Sequence, residues 1–281
     1  RVRKVPIVVR PKISEMLIDM EKSGVIEKIE SSPWISPVVV SQKPDNSLRF
    51  CIDLRTLNQN IVVDTYPLPN INELVLMLNG GRYFSKLDLK SAYHQVPLCD
   101  ESKQLTAFIT LDGLYQFRRM PFGLASASSV FQRMMGNVLR GLSNVIHFQD
   151  DILVFGDTVD DHNTALNGVL RKLLEAGLTL RKEKCTFLVQ EVDYLGYKLC
   201  SEGIKPKQDL LKAISETPTP TDRDQLRSYL GLIEFYAKFI QNFADKTEPL
   251  RVLLKKGAKF EWGHIQDQGF GNIKTEFWFR L

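Results

Sequence analysis

Apolar residues recur along this chain at two different spacings, which together predict a mixture of helices and strands. Between Ile13 and Met20 they repeat with a helical period, which predicts a helix that Gly24 ends. Residues 38–40 and 48–52 are short apolar runs, so we expect two strands joined by a turn at residues 43–46.

Further hairpin and helix patterns follow. Asp112-Gly113 separates two short apolar runs, at 108–111 and 114–117, and this predicts a β-hairpin. Longer helices are predicted at residues 126–139 and 162–176, the second ending at Gly177. A shorter helix is expected at residues 71–78, between a proline-containing linker and a pair of glycines.

The C-terminal part opens with a rigid Thr-Pro repeat at residues 217–221. Thr221 and Asp224 then have the spacing of a capping box, with Asp in place of Glu or Gln. Apolar residues from Leu226 to Phe243 predict the helices that follow. Because strands and helices do not alternate regularly, the whole pattern favours an α+β fold.

Two adjacent acids, Asp150 and Asp151, lie inside the apolar stretch 144–155. The residues on both sides are typical of short buried strands. Neighbouring carboxylates in such surroundings are costly unless a cation neutralises them, and a hard divalent cation with oxygen ligands does so. Successive strand side chains point to opposite faces, so the two acids can share a metal only at a bend, which favours a hairpin tip. The alternative is a solvated turn.

Asp88 supplies a third carboxylate. Residues 83–88 are strand-like up to this acid, and residues 91–93 indicate a turn into a helix or loop. Three acids so placed could surround a metal pair, in which ions about 3.5–4 Å apart activate an attacking oxygen and stabilise a leaving one.

Three motifs in a fixed order give the chain a family resemblance. They are LDLKSAYHQV at residues 87–96, MPFGL at 120–124 and FQDD at 148–151. With the segments at 32–37 and 226–236, they make the chain resemble reverse transcriptases, and among these the gypsy-type class of LTR retrotransposons. Each motif alone is weak, whereas their order and spacing together are specific.

The resemblance implies a right-hand polymerase with fingers, palm and thumb, built on an antiparallel palm sheet with helices. It divides the chain into a first part of the fingers at residues 1–63, a first part of the palm at 64–95, a second part of the fingers at 96–126, a second part of the palm at 127–201, and the thumb with the start of a connection region at 202–281.

The resemblance also implies the chemistry. Asp88, Asp150 and Asp151 match the catalytic palm carboxylates of the family, in which the first two hold the metal ions most directly. Two Mg²⁺ ions, replaceable by Mn²⁺, would activate the primer 3′-hydroxyl and neutralise the departing pyrophosphate. Phe148 stands where many members carry Tyr, and it keeps the ring without the hydroxyl.

Six further residues match positions that surround the incoming deoxynucleoside triphosphate in the family: Lys43, Arg49, Tyr93, Phe122, Gly123 and Lys184. Lysine and arginine suit phosphate oxygens, and an aromatic residue at position 93 would reject a sugar 2′-hydroxyl. Lys184 would protonate the leaving pyrophosphate. The alternatives are exposed hairpin charges, a core aromatic and a surface charge. The loop after Gly123 reads LASASS, where gypsy-type relatives often have Asn-Ala-Pro.

Nucleic-acid contacts are expected at two places. A hairpin matches the family's primer grip, although a structural turn explains the same four residues, Tyr194, Leu195, Gly196 and Tyr197. A basic segment contains only one acid and could follow a phosphate backbone, although a solvated helix face is the alternative. Its basic residues are Lys246, Arg251, Lys255, Lys256 and Lys259. Asp53, Arg55 and Asn58 also match the family pattern and are interpreted as structural hydrogen-bonders.

Composition indicates the setting. With 281 residues, 43% of them hydrophobic, the chain can bury a substantial core in one large or two modest domains. It has no run of about 18 apolar residues, so no membrane partner is expected. Four cysteines without a CxxC pair favour free thiols. The missing initiator Met suggests a fragment of a polyprotein, and the resemblance implies an intracellular place, in a cytoplasmic virus-like particle with access to the nucleus.

Three functions are compared. The first is an RNA- and DNA-templated DNA polymerase that extends a primer on an RNA or DNA template with deoxynucleoside triphosphates. The second is a catalytically weak or inactive, domesticated retroelement remnant that only binds nucleic acid. The third, an unrelated metal-dependent phosphotransferase, leaves the ordered motifs unexplained. The presence of all three acids favours the first.

Overall fold

The computed structural model describes residues 9–42, 48–70, 73–74, 77–78 and 81–278. The chain divides into two compact units, Arg1–Val192 and Asp193–Leu281. Among the helices described, none combines the length and the apolarity that crossing a bilayer requires. All four cysteines are free thiols, as their spacing predicted.

The first unit contains three sheets and several helices. Its strands are β1 (Ile26–Ile29), β2 (Val38–Gln42), β3 (Leu48–Ile52), β4 (Tyr83–Asp88), β5 (Phe108–Ile109), β6 (Leu114–Phe117), β7 (Val145–Phe148), β8 (Asp151–Gly156) and β9 (Thr186–Val189). Its α-helices are α1 (Arg10–Lys22), α2 (Arg55–Asn58), α3 (Asp100–Leu105), α4 (Ala127–Val138) and α5 (Val159–Glu175). Short 3₁₀ turns cover Ala92–Gln95 and Lys182–Lys184.

An antiparallel sheet with strand order β7-β8-β4-β9 carries the three acids. One face of this sheet packs on α4 and α5, and the core includes Leu87 and Ile152. Because side chains alternate along a strand, Lys86, Asp88 and Asp151 lie on the opposite face. The apolar pattern of β4 and β8 therefore places the acids on the face that the helices do not cover.

A second core lies between α1, the β2–β3 hairpin and the sheet ordered β1-β6-β5. Ile13 and Leu17 of α1 are buried there, which is the helix face that the spacing predicted. Phe108 and Phe117 pack in the same core with ring centroids 5.4 Å apart. These contacts hold β3 against the rest of the first unit.

The second unit begins with a three-stranded sheet and continues with helices. Its strands are β10 (Glu191–Tyr194), β11 (Tyr197–Cys200) and β12 (Gly203–Pro206), in that order across the sheet. Its α-helices are α6 (Gln208–Glu216), α7 (Arg223–Glu234), α8 (Phe243–Arg251) and α9 (His264–Trp278). The predicted apolar stripe is buried on α7, where Leu226 and Ile233 are fully enclosed.

Most predicted elements are confirmed, and the differences have local causes. The helix predicted from residue 162 begins at Val159, because Thr158 caps it by accepting a hydrogen bond from the Asp161 amide at 3.1 Å. The prediction that Thr221 caps the next helix is wrong by one residue. Asp222 is the N-cap, and its carboxylate accepts from the amides of Asp224 and Gln225 at 2.9 and 2.8 Å.

Some of the predicted elements and boundaries are not tested by the structure. The turn predicted at residues 43–46 lies outside the described residues, as does half of the helix predicted at 71–78. The division into five polymerase segments stays a prediction. The α+β class itself is confirmed by the mixture of helices and antiparallel sheets.

Candidate active site

The two adjacent acids lie at the tip of the β7–β8 hairpin, as the sequence predicted. Phe148 pairs with Asp151 across the hairpin, so Gln149 and Asp150 form a two-residue loop. Gln149 has φ of +54°, in the left-handed region that non-glycine residues rarely adopt. Asp151 opens β8 directly opposite Asp88 on β4. The hairpin thus brings Asp150 and Asp151 to the end of β4, where Asp88 lies.

Gln132 on α4 holds this loop in place. Its side-chain oxygen accepts a hydrogen bond from the Gln149 amide at 2.7 Å, and its side-chain nitrogen donates to the His147 carbonyl at 3.4 Å. Gln132 is only 4% exposed. A left-handed residue costs roughly 1–2 kcal/mol, and these bonds offset that cost. Sequence reasoning missed Gln132. The available signal was a polar residue within the apolar stripe of α4.

The electrostatics around the three acids are unbalanced. Lys86 Nζ lies 3.1 Å from Asp151 Oδ1, and Lys184 Nζ lies 3.9 Å from Asp88 Oδ2. Asp150 has no ion pair among the residues described. Burial raises the pKa of Asp150, and the charges of Asp151 and Asp88 raise it further, while a backbone hydrogen bond and Lys184 partly offset the rise. Among the described residues, the nearby acids and burial thus outweigh the effect of Lys184 on the Asp150 carboxylate.

The acids fit a divalent metal that the substrate helps to bind. In the described part of the chain, no three His, Cys, Asp or Glu side chains are close enough together to enclose a metal ion. Mg²⁺, however, is usually bound by one or two carboxylates together with substrate phosphates and water. Asp88 and Asp150 offer oxygen ligands, and a bound cation would offset the burial that raises the pKa of Asp150. These two residues could hold the metal.

Asp88 and Asp150 both line a cavity of about 720 Å³ in the first unit. Lys184 and Phe122, two of the predicted nucleotide-binding residues, line the same cavity. Its volume is in the range of small-molecule sites, and its mouth carries both acidic and basic groups. The cavity therefore brings the predicted metal ligands next to part of the predicted nucleotide site.

Several residues that line the cavity were not predicted as site residues, among them an arginine and a histidine. Arg181 lines the cavity, and its amide donates to the Asp88 carbonyl at 2.8 Å. His94 also lines it, and burial lowers the pKa of this imidazole, which favours its neutral form. His94 follows Tyr93 directly and Arg181 lies three positions before Lys184, and that proximity in the sequence was the available signal.

Tyr93 connects three parts of the site. Its ring lies 5.1 Å from that of Phe122 and 5.5 Å from that of Phe131, measured between centroids. Its hydroxyl forms a hydrogen bond with Ser128 Oγ at 3.0 Å and another with Gln149 Oε1 at 3.3 Å. The ring is therefore fixed between the loop at Phe122, helix α4 and the β7–β8 hairpin.

The loop containing Gly123 is held by Asn58. The Asn58 amide group donates to the Gly123 carbonyl and accepts from the Ala125 amide, both at 2.9 Å. Gly123 has φ of +97°, a conformation that favours glycine. Asp53 and Arg55 form an ion pair at 2.7 Å. The interpretation of Asp53, Arg55 and Asn58 as structural hydrogen-bonders is thus confirmed.

The structure does not bring every predicted residue to the site. Lys43 lies outside the described residues. Arg49 belongs to β3, where its backbone pairs with Ser41, and its side chain also lies outside what is described. Their proposed contact with a triphosphate stays a prediction.

The predicted primer-grip hairpin is the β10–β11 turn of the second unit. Leu195 and Gly196 have φ of +45° and +88°. Tyr194 and Tyr197 are 0% and 1% exposed, so their rings are enclosed in the second unit. Tyr236 donates its hydroxyl to the Gly196 carbonyl at 2.7 Å. Contact with a primer would therefore come from the turn itself.

Gly196→Ala is expected to destabilise the second unit by about 1–2 kcal/mol, because a Cβ there is strained in the left-handed region. That Cβ would also lie 3.0 Å from the Phe235 ring. Thermal denaturation measures the effect. Gly231→Ala on α7 is the matched control: its Cβ would meet no atom within 4 Å, and it should stabilise by about 0.5–1 kcal/mol. Equal melting temperatures for the two variants would contradict the prediction.

The basic segment of the second unit is partly neutralised. Lys246 pairs with Glu276, Arg251 with Glu234 at 3.3 Å, and Lys255 with Glu248 at 2.8 Å. Lys256 and Lys259 are exposed and have no ion pair among the described residues. Of the five predicted phosphate contacts, these two are the ones without an ion pair to any residue that the structure describes.

The chain is similar to known proteins in both sequence and fold. A family model described as reverse transcriptase (RNA-dependent DNA polymerase) matches residues 41–199. The chain is 40% identical over 89% of its length to the Pol polyprotein of transposon 297 from Drosophila melanogaster, covering 24% of that protein. It is 37% identical over 91% of its length to the Pol polyprotein of transposon gypsy from the same organism, covering 25%. The chain thus spans about a quarter of these relatives.

The fold is similar to that of the foamy viral protease-reverse transcriptase. In its complex with double-stranded DNA the TM-score is 0.89 at 25% identity, covering 99% of this chain and 58% of that one. In its complex with an RNA/DNA hybrid the TM-score is 0.84 at 25% identity, covering 99% and 38%. The expected polymerase fold is confirmed. With three acids at one end of the β7-β8-β4-β9 sheet, an ordered set of motifs and a matching family model, the chain belongs to the reverse transcriptase (RNA-dependent DNA polymerase) family and is related to Pol polyproteins of gypsy-type retrotransposons.

Proposed function

We propose that this chain is an RNA- and DNA-templated DNA polymerase that adds deoxynucleotides to a primer 3′-hydroxyl by two-metal phosphoryl transfer. The observation that carries the proposal is the placement of Asp88 and Asp150 on the wall of one cavity, where Asp150 has no ion pair among the described residues and burial raises its pKa. Such a site gains most from a bound cation. The intracellular location inferred from the resemblance stays part of this proposal.

Each residue at the site has a proposed role in the reaction. Asp88 and Asp150 would hold Mg²⁺ or Mn²⁺, which when bound lowers the pKa of the attacking hydroxyl and neutralises the charge on the leaving phosphates. Lys184 and Arg181 border the same cavity and would balance the negative charge of the triphosphate. Tyr93, fixed by its ring contacts and hydrogen bonds, would stand beneath the incoming sugar and exclude a 2′-hydroxyl.

A template-primer duplex is the proposed partner. The foamy viral protein to which the chain is similar binds double-stranded DNA and an RNA/DNA hybrid in its structures. In this chain the β10–β11 turn and the uncompensated charges of Lys256 and Lys259 are the candidate contacts. A positively charged surface recognises the phosphate backbone without regard to sequence.

Primer extension tests the proposal. The purified protein is incubated with a labelled DNA primer on an RNA or a DNA template, deoxynucleoside triphosphates, and Mg²⁺ or Mn²⁺. Extension on both templates, abolished by EDTA, is the expected result. Duplex binding without extension under any metal condition would instead support the remnant that only binds nucleic acid.

Changing Lys256 and Lys259 together to Ala is expected to weaken duplex binding equally for unrelated sequences. Each lost phosphate contact should reduce the slope of log affinity against log salt by about 0.9. Fluorescence anisotropy over a salt series measures both quantities. Lys212→Ala is the control, since this exposed lysine on α6 is already within 3.9 Å of Glu216. A double variant with an unaltered slope means that the segment is only a solvated surface.

A further inference from the structure

Lys86 is placed among the catalytic acids although no motif drew attention to it. It lies on β4 two positions before Asp88, and Asp88 pairs in register with Asp151 on β8. All three side chains therefore project from the same face of the sheet. Lys86 Nζ lies 3.1 Å from Asp151 Oδ1, and the two side chains are 27% and 33% exposed. This pair is built into the sheet, unlike a fully solvated surface ion pair.

The three acids are not equivalent in their surroundings. Asp88 and Asp150 line the cavity, whereas Asp151 does not. The lysine next to Asp88 is Lys184, which is more distant at 3.9 Å and 59% exposed, so water screens its charge more effectively. Asp151 is thus the acid whose charge is most directly compensated by a neighbouring lysine.

We propose that Lys86 is a built-in countercation that holds Asp151 out of the metal ligand set and lowers the affinity of the empty site for divalent cations. The inference rests on the proposed polymerase function. A fixed ammonium repels a divalent cation nearby and occupies a carboxylate that the cation would otherwise attract. Asp88 and Asp150 then remain as the available ligands, which is too few to bind Mg²⁺ tightly without substrate phosphates.

The consequence is a metal site that assembles together with the nucleotide. A triphosphate brings its own oxygen ligands and several negative charges, which outweigh the single charge of Lys86. Metal binding and nucleotide binding would therefore be coupled, and each would strengthen the other. Removing the charge of Lys86 should weaken this coupling.

Metal titrations of the full chain without nucleotide or nucleic acid test the inference. Free Mn²⁺ is measured by electron paramagnetic resonance, and Mg²⁺ by the rise in melting temperature. Lys86→Met is expected to bind metal about three- to tenfold more tightly, as the loss of one nearby unit charge predicts. Lys86→Arg should remain close to the parent. Lys103→Met is the matched control. Lys103 forms an ion pair with Asp100 at 2.6 Å on α3, outside the cavity.

A double variant separates pairing with Asp151 from a general charge effect. In an Asp151→Asn background, Lys86→Met should increase metal affinity less than it does in the parent, because the repulsion is relieved but no carboxylate is released. The inference is overturned if Lys86→Met leaves the affinity unchanged or weakens it, or if the gain in the Asp151→Asn background is as large as in the parent. Should Lys86→Met not fold, Lys86→Gln makes the same comparison.

The outcome also distinguishes this inference from the proposed function. A parent protein that extends primers, combined with unchanged metal affinity in Lys86→Met, rejects only the role of Lys86. A parent protein that neither extends primers nor binds Mn²⁺ rejects both.

Discussion

Asp150→Asn is expected to reduce primer extension on the order of 10³-fold or more while the fold is retained. The substitution keeps the size of the side chain but removes a charged oxygen ligand, and a bound metal contributes several kcal/mol to the transition state. Single-turnover extension at saturating primer-template measures the loss, and circular dichroism checks the fold. Equal extension by variant and parent would falsify the assignment of Asp150 as a metal ligand.

The same substitution is expected to raise stability in metal-free buffer at neutral pH. Burial and the nearby acids raise the pKa of Asp150 in the folded protein, so the folded state holds this proton more tightly than the unfolded state. Stability therefore falls as pH rises from the ordinary aspartate pKa to the raised value, and asparagine avoids that loss. The gain in melting temperature should disappear below the ordinary aspartate pKa, and Mg²⁺ should stabilise the parent only.

Asp157→Asn is the control for both measurements. Asp157 follows the other end of β8 and pairs with Arg82 at 3.1 Å, and it is 67% exposed. Its replacement should leave extension unchanged, because it lies outside the cavity. If it lowered extension as much as Asp150→Asn, the loss would reflect damage to the hairpin and not a missing metal ligand.

Tyr93→Val is expected to lower the preference for deoxynucleotides over ribonucleotides on the order of 100-fold, because a steric clash worth a few kcal/mol would disappear. The Tyr93 ring is fixed by Phe122 and Phe131 on two sides, so it cannot move aside for a 2′-hydroxyl. Incorporation efficiencies, kcat/KM, for matched nucleotide pairs measure the preference. An unchanged preference in an active variant means that Tyr93 is only a core aromatic.

Tyr93→Phe separates the ring from its hydroxyl. The variant keeps the ring but loses the hydrogen bonds to Ser128 and Gln149. It should therefore retain sugar selectivity and show a lower kcat, because the loop carrying Asp150 is less well held. A selectivity loss as large as that of Tyr93→Val would show that the hydroxyl, and not the ring, discriminates between the sugars.

Much of the local structure and of the catalytic centre followed from the sequence. The strands around Asp150 and Asp88 could be predicted from short apolar runs, because the pattern that indicates a strand involves only residues that are close in sequence. The hairpin tip followed from the cost of two adjacent acids between buried strands. The family motifs then indicated which acids to group, although no spacing by itself showed that Asp88 lies opposite Asp151.

Only the tertiary structure shows the contacts between residues that are distant in sequence. The pairing of Lys86 with Asp151 depends on the register of β4 and β8, and the bond from Gln149 to Gln132 depends on how α4 packs on the sheet. Likewise, only packing shows that Tyr194 and Tyr197 are buried and that three cations of the basic segment are already paired. Sequence periodicity identifies which face of each helix or strand is buried. The charged groups that surround a residue, in contrast, depend on which element packs next to it.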